Sequence, residues 1–321
     1  ELTLEITTNH LWYVVQALPN YEQPQRPNAL SWLNYYFINA LASHIVKNNP
    51  EIEEVFQQWQ LLSPEELESE LFQNPELKKV LIEETPWLLK AENQSTRKKK
   101  ISRLFNENNL QYQMETALNQ LQDLQKPNGG FGWIEGMKSS VYISSQIAEA
   151  LGQLMLAGAL DFHKNVALKN MVKELMGYLD DELQRIYGKA QLNHSDYYSG
   201  QALRILQARA YFLEFYPLNE YQAAFDYFLK EWKNQKHSKP LYERMVLAKV
   251  LWFTGEKEAV NEMLMAFKDI ALKYHHGAIY WKGFEGYEST KKQAEMINLF
   301  ELTNMESEWI DGLKMWVLQQ K

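Results

Sequence analysis

The sequence predicts an all-α fold, in which helix hairpins form an α/α toroid and a single β-strand precedes the helices. Three observations support this prediction: the composition favours helices, apolar residues recur with a helical period, and a glycine-aromatic turn occurs twice. Of the 321 residues, 45% are hydrophobic and 13% are aromatic, whereas glycine (14) and proline (10) are sparse. This balance provides for a large interior and argues against an all-β fold.

The first predicted element is a strand at the N-terminus. Residues 1–8 read ELTLEITT, in which Leu2, Leu4 and Ile6 alternate with polar residues, and no other stretch shows as good a strand pattern. A lone strand needs a sheet to pair with. We therefore assign residues 1–10 to a neighbouring β domain and residues 11–321 to the helical domain.

Helical patterns follow from Leu11 onward. The first long helix is expected to end near Asn48, and its apolar stripe consists of Leu30, Leu33, Phe37, Leu41 and His44. Capping side chains before prolines mark further helix starts at Asn49-Pro50, Ser63-Pro64, Asn74-Pro75 and Thr85-Pro86. The later helices are predicted at Val166–Tyr187, Asp196–Tyr216, Glu220–Trp232, Leu241–Phe253, Lys257–Lys273, Thr290–Leu302 and Ser307–Gln320.

The helices are organised around the stretch Gln125–Leu160. A helix enters it with Leu110, Met114, Ala117, Leu118, Leu121 and Leu124 on one face. Pro127 cannot continue that helix, and Gly129 and Gly130 accept backbone angles that are closed to other residues. Beyond a corner at Gly136, a second helical face is formed by Ile143, Ile147, Ala150, Leu151, Leu154 and Gly158.

The same arrangement returns near the other end of the chain. His276-Gly277-Ala278-Ile279-Tyr280-Trp281 precedes a helix that starts at about Thr290. Gly130 lies 16 residues before Gln146, and Gly277 lies 16 residues before Gln293. One unit used twice predicts a ring or solenoid of helix pairs. Two ordinary glycine-aromatic loops are the alternative.

Composition also limits the classes of partner. The net charge of -8 disfavours nucleic acid, because phosphate binding needs a basic face. The dense basic run Arg97–Lys100 begins a helical pattern and is interpreted as a solvated helix face. No apolar run approaches membrane-spanning length, so we expect no direct insertion into a membrane.

The absence of cysteine excludes several chemistries. Disulfides, thiolate metal sites, cysteine nucleophiles and Cys-derived thioesters all require a thiol, and the chain has none. We expect no cofactor and no metal. The chain starts at Glu1 without an initiator Met or a signal peptide, which we interpret as a piece cut from a longer or processed protein.

The glycine-aromatic stretch carries a family resemblance. NGGFGWIEG followed by SSVYISSQIAEALGQL resembles a signature of bacterial α2-macroglobulin-like proteins, in their thioester-containing helical domain. Further resembling segments follow the family's order and together cover most of the chain: LTLEITTNHLWYVVQALP, NALASHIVKNNPEIEEVF, VLIEETPWLLKAENQSTRKKKISRLF and DGLKMWVLQQK. The resemblance implies that residues 1–10 belong to a CUB-like β domain. It also implies that residues 11–321 form a thioester-type toroid that lacks its last helices.

A second likeness concerns the fold alone. The spacing of Gln125, Gly129 and Trp133 resembles the Gln/Trp repeat of terpenoid cyclases, which form another α/α toroid family. Since one fold serves many functions, this analogy says nothing about chemistry.

The resemblance also locates a missing reactive bond. The family places Cys-x-Glu-Gln at the start of its first long helix, where the Cys sulfur and the Gln carbonyl form an internal thioester. Aligned on Asn39–His44, these positions fall on Asn28, Leu30 and Ser31. Asn28 has no thiol and Ser31 has no carboxamide, so we expect a domain that is unable to capture a target covalently.

Other chemistry-bearing residues have simpler interpretations. Asp180-Asp181-Glu182 matches no trusted metal-diphosphate spacing and is interpreted as a solvated helix face. Adjacent His275 and His276 point in different directions, which disfavours a metal pair. His44, on the apolar stripe, is interpreted as a core or cavity-edge histidine. The run 194–196 (His-Ser-Asp) cannot supply triad geometry, so Ser195 is interpreted as a helix cap.

Aromatic residues cluster on the two turns. They are Trp133, Tyr142, Tyr280, Trp281 and Tyr287. If both turns lie at one end of the ring, these side chains form an aromatic-rimmed depression for peptide or glycan. The alternative, which we prefer, is that they fill the interior of the ring.

The resemblance implies the helical domain of an exported protein, periplasmic or lipid-anchored, that entraps proteases after its bait region is cut. Its partners would be proteases and the neighbouring macroglobulin-type β domains. Without a thioester, inhibition would be steric, and the domain would not be an enzyme. A glycan-active α/α-toroid enzyme is the first alternative, and it predicts convergent carboxylates in a central depression. A non-inhibitory envelope scaffold that docks a peptidoglycan enzyme is the second.

Overall fold

The computed structural model describes residues 23–25, 27–61, 107–162, 164–193, 199–284 and 288–320. The predicted strand and domain boundary at residues 1–10, the helix starts between 63 and 86 and the basic run at 97–100 lie outside these residues. The described chain is mostly helical, as predicted. It divides into two compact units. Unit 1 holds the described residues of 1–126, 131–139 and 153–171, and unit 2 holds those of 127–130, 140–152 and 172–321.

Unit 1 is built on two packed helices. Its helices are α1 (Ala29–Asn48), α2 (Pro50–Leu61) and α3 (Glu107–Leu124), and α1 packs along α3. The predicted end of α1 at Asn48 and the start of α2 at Pro50 are confirmed. The predicted apolar stripe of α1 is wrong in part. Leu33 is buried, but the buried face otherwise centres on Trp32, Tyr36 and Ala40. The other predicted members of the stripe are only half-buried: Leu30, Phe37, Leu41 and His44.

Two long helices contribute residues to both units. They are α4 (Val141–Leu156) and α5 (Val166–Asn193). The predicted face of α4 is confirmed at Ile143, Ile147, Leu151 and Leu154, which are at most 1% exposed, but it is wrong at Gly158, which is exposed and lies beyond the end of the helix. Helix α5 extends beyond its predicted end at Tyr187, because Gly188 does not interrupt it.

Unit 2 contains six further described α-helices. They are α6 (Ser199–Ala210), α7 (Gln222–Gln235), α8 (Leu241–Phe253), α9 (Lys257–Asp269), α10 (Ser289–Leu302) and α11 (Ser307–Leu318). Helix α8 has its predicted bounds, and α10 begins one residue before its prediction. Helix α6 ends early at Ala210, where the chain tightens into turns before Pro217, with the Phe212 N–H donating to the Arg209 carbonyl at 2.9 Å.

A small hairpin corrects the prediction that strands are confined to the N-terminus. Strand β1 (Leu272–Lys273) pairs antiparallel with β2 (Ile279–Tyr280), so α9 ends at Asp269 instead of Lys273. Two-residue strands are too short to show alternation in the sequence. The hairpin turns through left-handed backbone at His276 (φ 59°) and Gly277 (φ 80°).

The two glycine-aromatic turns share this local geometry. In the first turn, Gln125 and Phe131 form an antiparallel bridge. In the second, Lys273 and Ile279 are the antiparallel partners. Both pairs therefore enclose five residues. The sequences of the two turns align with an offset of 148 positions (273 minus 125, and 279 minus 131).

The glycines fix the same register. Gly129 has φ 81° and Gly277 has φ 80°, and each stands four residues after the first member of its bridge. The left-handed glycine of the first turn is thus Gly129. The spacing to the downstream glutamines predicts that Gly130 corresponds to Gly277, and this prediction is wrong. The structure supports a repeated turn and moves its register by one residue, which also matches Trp133 with Trp281.

Each turn is held by the second helix that follows it. A Cβ on Gly129 would lie 2.1 Å from the carbonyl oxygen of Glu174 on α5. A Cβ on Gly312 of α11 would lie 2.6 Å from Ile279 and 2.8 Å from the Gly277 carbonyl oxygen. Backbone and helix approach this closely only because the Cβ is absent. A turn, a helix and a returning helix thus occur twice.

Candidate functional site

Asn28, Leu30 and Ser31, which the family resemblance predicts to be degenerate thioester positions, lie at the N-terminus of α1. Asn28 is the N-cap, and its Oδ1 accepts a hydrogen bond from the Ser31 backbone N–H at 2.9 Å. Ser31 Oγ accepts from the Asn28 N–H at 2.9 Å and donates to the Asn28 carbonyl at 2.8 Å. This capping box satisfies backbone groups that have no partner within the helix.

The cap lies against the first glycine-aromatic turn. The Ala29 N–H donates to the Trp133 carbonyl at 3.0 Å, so the turn takes up another free donor of α1. Leu30, at the position aligned with the Glu, is a half-buried apolar side chain. Asn28 and Ser31 therefore stabilise a helix end, and none of the three positions carries a thiol.

Two of the predicted aromatic residues are substantially exposed. Trp133, in unit 1, is 47% exposed. Tyr142, in unit 2, is 42% exposed, and the guanidinium of Arg204 lies 4.7 Å from its ring centroid. This distance is within the range of a cation–π interaction.

The aromatic residues of the second turn differ from each other in burial. Trp281 is 1% exposed and donates its indole N–H to the Phe267 carbonyl at 2.8 Å, as expected of a core residue. Tyr280 is half-buried and stacks on Trp316, with centroids 5.9 Å apart and planes at 13°. Tyr287 lies outside the described residues. Trp281 thus fits the interior alternative, whereas Tyr142 and Trp133 present ring surface.

The histidines and the acidic run are placed differently from one another. His44 is half-buried, and its ring nitrogens lie 3.2 and 3.3 Å from Asn48 Nδ2. His275 and His276 are exposed, and the run 194–196 lies outside the described residues. Within the described ranges, no group of three or more His, Asp or Glu side chains is arranged to hold a metal.

Asp180 contradicts the prediction of a solvated acidic face. Its Oδ1 accepts from Arg209 Nε at 2.7 Å, and the Arg209 side chain is fully buried. Arg209 Nη2 also donates to the Tyr216 carbonyl at 2.8 Å. Burial raises the pKa of Asp180, and the Arg209 charge opposes that rise. Asp180 is buried against α6 instead of facing water, because it lies on the inward face of α5.

Sequence reasoning missed a buried charged cluster in unit 2. Its members come from four helices: Glu149 on α4, Arg204 and Gln207 on α6, Tyr242 and Lys249 on α8, and Lys291 and Glu295 on α10. We refer to these seven residues as the charged cluster. Glu149, Gln207, Lys249 and Glu295 are each at most 9% exposed, whereas Lys291 is exposed.

Glu149 connects α4 to α6. Its Oε1 accepts from Gln207 Nε2 at 2.7 Å, and its Oε2 lies 3.4 Å from Gln146 Nε2. Burial raises the pKa of Glu149 to about 7, and the charge of Glu295 adds to the rise. The nearby cations Lys249, Lys291 and Arg204 oppose it. The side chain is therefore poised to hold a proton near neutrality.

Glu295 connects α10 to α8. Lys249 Nζ lies 3.5 Å from Glu295 Oε2, and the Tyr242 hydroxyl lies 3.3 Å from both carboxylate oxygens. Burial and the Glu295 charge raise the pKa of Tyr242, so the phenol remains a donor to the carboxylate. Within the part of the chain that the structure describes, Lys249 Nζ has this ion pair and no hydrogen-bond partner.

The sequence gives one weak indication of the charged cluster. Lys249 interrupts the apolar run MVLAKVLWF, whereas Glu149 lies on the opposite face of α4 from Ile147 and Leu151 and gives no such sign. A charged residue within an apolar run is rarely buried without a partner, so Lys249 indicates a nearby opposite charge. The sequence does not indicate which distant helix supplies that charge.

A surface pocket of about 240 Å³ lies between α1 and α3 in unit 1. Its lining includes the ring of Tyr36, the apolar side chains of Met114 and Leu118, and the charged side chains of Lys47 and Glu115. None of the site residues predicted from the sequence lines it.

Comparisons with known proteins add no family assignment. No protein-family model matches the chain, and no curated protein matches it. Among the helices that the structure describes, none is both long enough and apolar enough to cross a membrane.

Proposed function

We propose that this chain is the helical domain of a bacterial α2-macroglobulin-like protein that inhibits endopeptidases sterically, without a thioester and without enzymatic activity of its own. The observation that carries the proposal is the Asn28–Ser31 capping box. The two positions that resemble the thioester-forming pair are in direct contact, and both side chains are engaged in closing a helix end. The ordered resemblance of several segments along the chain supports the parent family.

We also propose that the helix hairpins form an α/α toroid. In unit 2, the charged cluster receives its residues from α4, α6, α8 and α10, which alternate along the chain with α5, α7, α9 and α11. Alternation of this kind is what a ring with inner and outer helices requires. The repeated unit of turn, helix and returning helix supports the same architecture.

In this proposal the parent protein is exported to the periplasm or cell envelope, where it is either free or anchored to lipid. Its partners are proteases and the adjoining macroglobulin-type β domains. Cutting of the bait would shift the contacts between this domain and those neighbours, so that the protease is enclosed. The acidic net charge of the chain agrees with the absence of nucleic acid among these partners.

The test uses the full-length parent protein and an excess of a broad-specificity protease. Steric enclosure blocks access by size, so cleavage of a large protein substrate should fall while hydrolysis of a small chromogenic peptide continues. A variant with its bait region deleted is the matched control, and it should protect neither substrate. Undiminished cleavage of the large substrate after bait cutting would overturn the proposal.

One observation favours a second candidate, a glycan-active enzyme. Glu149 and Glu295 are two carboxylates in one cluster, and the pKa of Glu149 is raised as a general acid requires. Glu149 is 9% exposed and Glu295 is 5% exposed, which argues against access by a sugar chain. Release of reducing ends from peptidoglycan or oligosaccharides by the wild-type chain, abolished in Glu149→Gln, would establish this candidate and displace the inhibitor.

A further inference from the structure

The charged cluster joins four helices through groups that titrate or carry charge. Glu149 is reached from α6 by Gln207 and Arg204, from α8 by Lys249 and Tyr242, and from α10 by Glu295 and Lys291. Its own helix contributes the neutral Gln146. No single helix therefore determines the charge state of Glu149.

The balance of charge in the cluster depends on one proton. With Glu149 protonated, Glu295 is the one buried carboxylate of the cluster, and it faces Lys249 at 3.5 Å. With Glu149 ionised, two carboxylates share this interior, and Lys249 must offset both of them, together with Lys291 and Arg204 at the less buried side. An ionised buried carboxylate is costly unless it is fully paired.

We propose that the proton on Glu149 controls how tightly the 141–152 segment of α4 packs against α6, α8 and α10 within unit 2. In the protonated state the Glu149 carboxyl is neutral and still accepts from Gln207, so the four helices stay together. Loss of the proton places a second negative charge beside Glu295 and favours opening of this segment. This dependence of helix packing on the Glu149 proton does not require that the parent protein inhibits proteases.

The direction of the pH dependence follows from linkage. The pKa of Glu149 in the folded chain is about 7, above its ordinary value of 4.5. Between these values the closed segment holds a proton that the opened one has released, so closure weakens as pH rises through this window and levels off above the folded pKa. From pH 6 to pH 8, this predicts about a tenfold loss of protection if opening exposes Glu149 to water.

Hydrogen exchange of the whole chain, read by mass spectrometry at pH 6, 7 and 8, tests the proposal. Protection factors for peptides from 141–152 are corrected for the intrinsic exchange rate, and peptides from α9, which contributes no residue to the cluster, serve as the internal reference. We expect protection of 141–152 to fall about tenfold from pH 6 to pH 8. A wild-type profile that is flat, or that merely parallels α9, would overturn the proposal.

Two variants separate the proton on Glu149 from a general effect of pH. Glu149→Gln removes the titrating group and keeps an acceptor for Gln207, so its protection should be independent of pH between 6 and 8. Glu295→Gln removes the second cause of the raised pKa, so the midpoint of the wild-type transition should move to lower pH. A transition retained unchanged in both variants would contradict the proposal.

Discussion

Asn28 and Ser31 exchange hydrogen bonds at the start of α1, with Asn28 Oδ1 and Ser31 Oγ each accepting a backbone N–H at 2.9 Å. These residues stand three apart, which is the spacing of the Cys and the Gln in the family to which we propose that the chain belongs. The spacing that brings a sulfur and an acyl carbon together also brings a cap and its partner together. The same helix end can therefore stay closed without a covalent bond.

Removal of the cap should destabilise α1. Asn28→Ala leaves the Ser31 N–H without its acceptor, and we expect a loss of about 1 kcal/mol in the free energy of unfolding. Asn28→Ser is the matched control, because serine also caps helices and should retain most of the stability. Chemical denaturation followed by circular dichroism measures both. Equal stability of the alanine variant and wild type would show that the capping box contributes nothing to the free energy of unfolding.

The close approach of α4 to the chain after α6 should make Gly152 intolerant of a side chain. A Cβ on Gly152 would lie 2.4 Å from Tyr211 Cγ, so Gly152→Ala should cost about 1–3 kcal/mol through overpacking. Gly177 on α5 has no such neighbour within 4 Å. Gly177→Ala should therefore stabilise the chain by up to about 1 kcal/mol, since alanine favours the helix. Thermal unfolding of both variants checks the opposite signs.

The Lys249–Glu295 pair should be costly to break from one side. Lys249→Met leaves the buried Glu295 carboxylate beside Glu149, and we expect a loss of about 3–5 kcal/mol. Adding Glu295→Gln removes that uncompensated charge, so the double variant should be more stable than the Lys249→Met single variant. Urea unfolding of the two single variants and the double variant gives the coupling energy. Strict additivity would mean that the two side chains do not interact.

Trp281 and Trp133 occupy corresponding positions in the two turns but should respond differently to substitution. Trp281→Phe removes the hydrogen bond to the Phe267 carbonyl and leaves a void, which should cost about 2–4 kcal/mol. Trp133→Phe, at a half-exposed ring, should change stability by less than about 1 kcal/mol. Equal losses would show that Trp133 is as important to the core as Trp281.

Much of the helical layout could be predicted because its signals are local. Asn49-Pro50 marks a helix start by capping and proline geometry, and the apolar residues of α4 mark its buried face by period alone. The hairpin at 272–280 could not be predicted, because its strands are two residues long and its turn uses a left-handed histidine. Tyr36 lies beside residues of α3 that are more than 60 positions away, and no local pattern contains that information.

The candidate sites divide in the same way. Asn28 and Ser31 were singled out through the family resemblance, and their capping box was not predicted from the sequence. Glu149, Lys249 and Glu295 lie up to 146 positions apart (295 minus 149), and only the packing of their helices brings them together. Asp180 was misjudged for the same reason, since its partner Arg209 lies on another helix.

The fate of a captured protease under denaturing conditions tests the central claim most directly. The full-length parent is mixed with a protease until its bait is cut, the complex is isolated under native conditions, and the products are then separated in denaturant and weighed by mass spectrometry. A steric trap without a thioester predicts a native complex that releases the protease at its unmodified mass. A covalent conjugate through residues 28–31, or the lack of any native complex after bait cutting, would contradict the account.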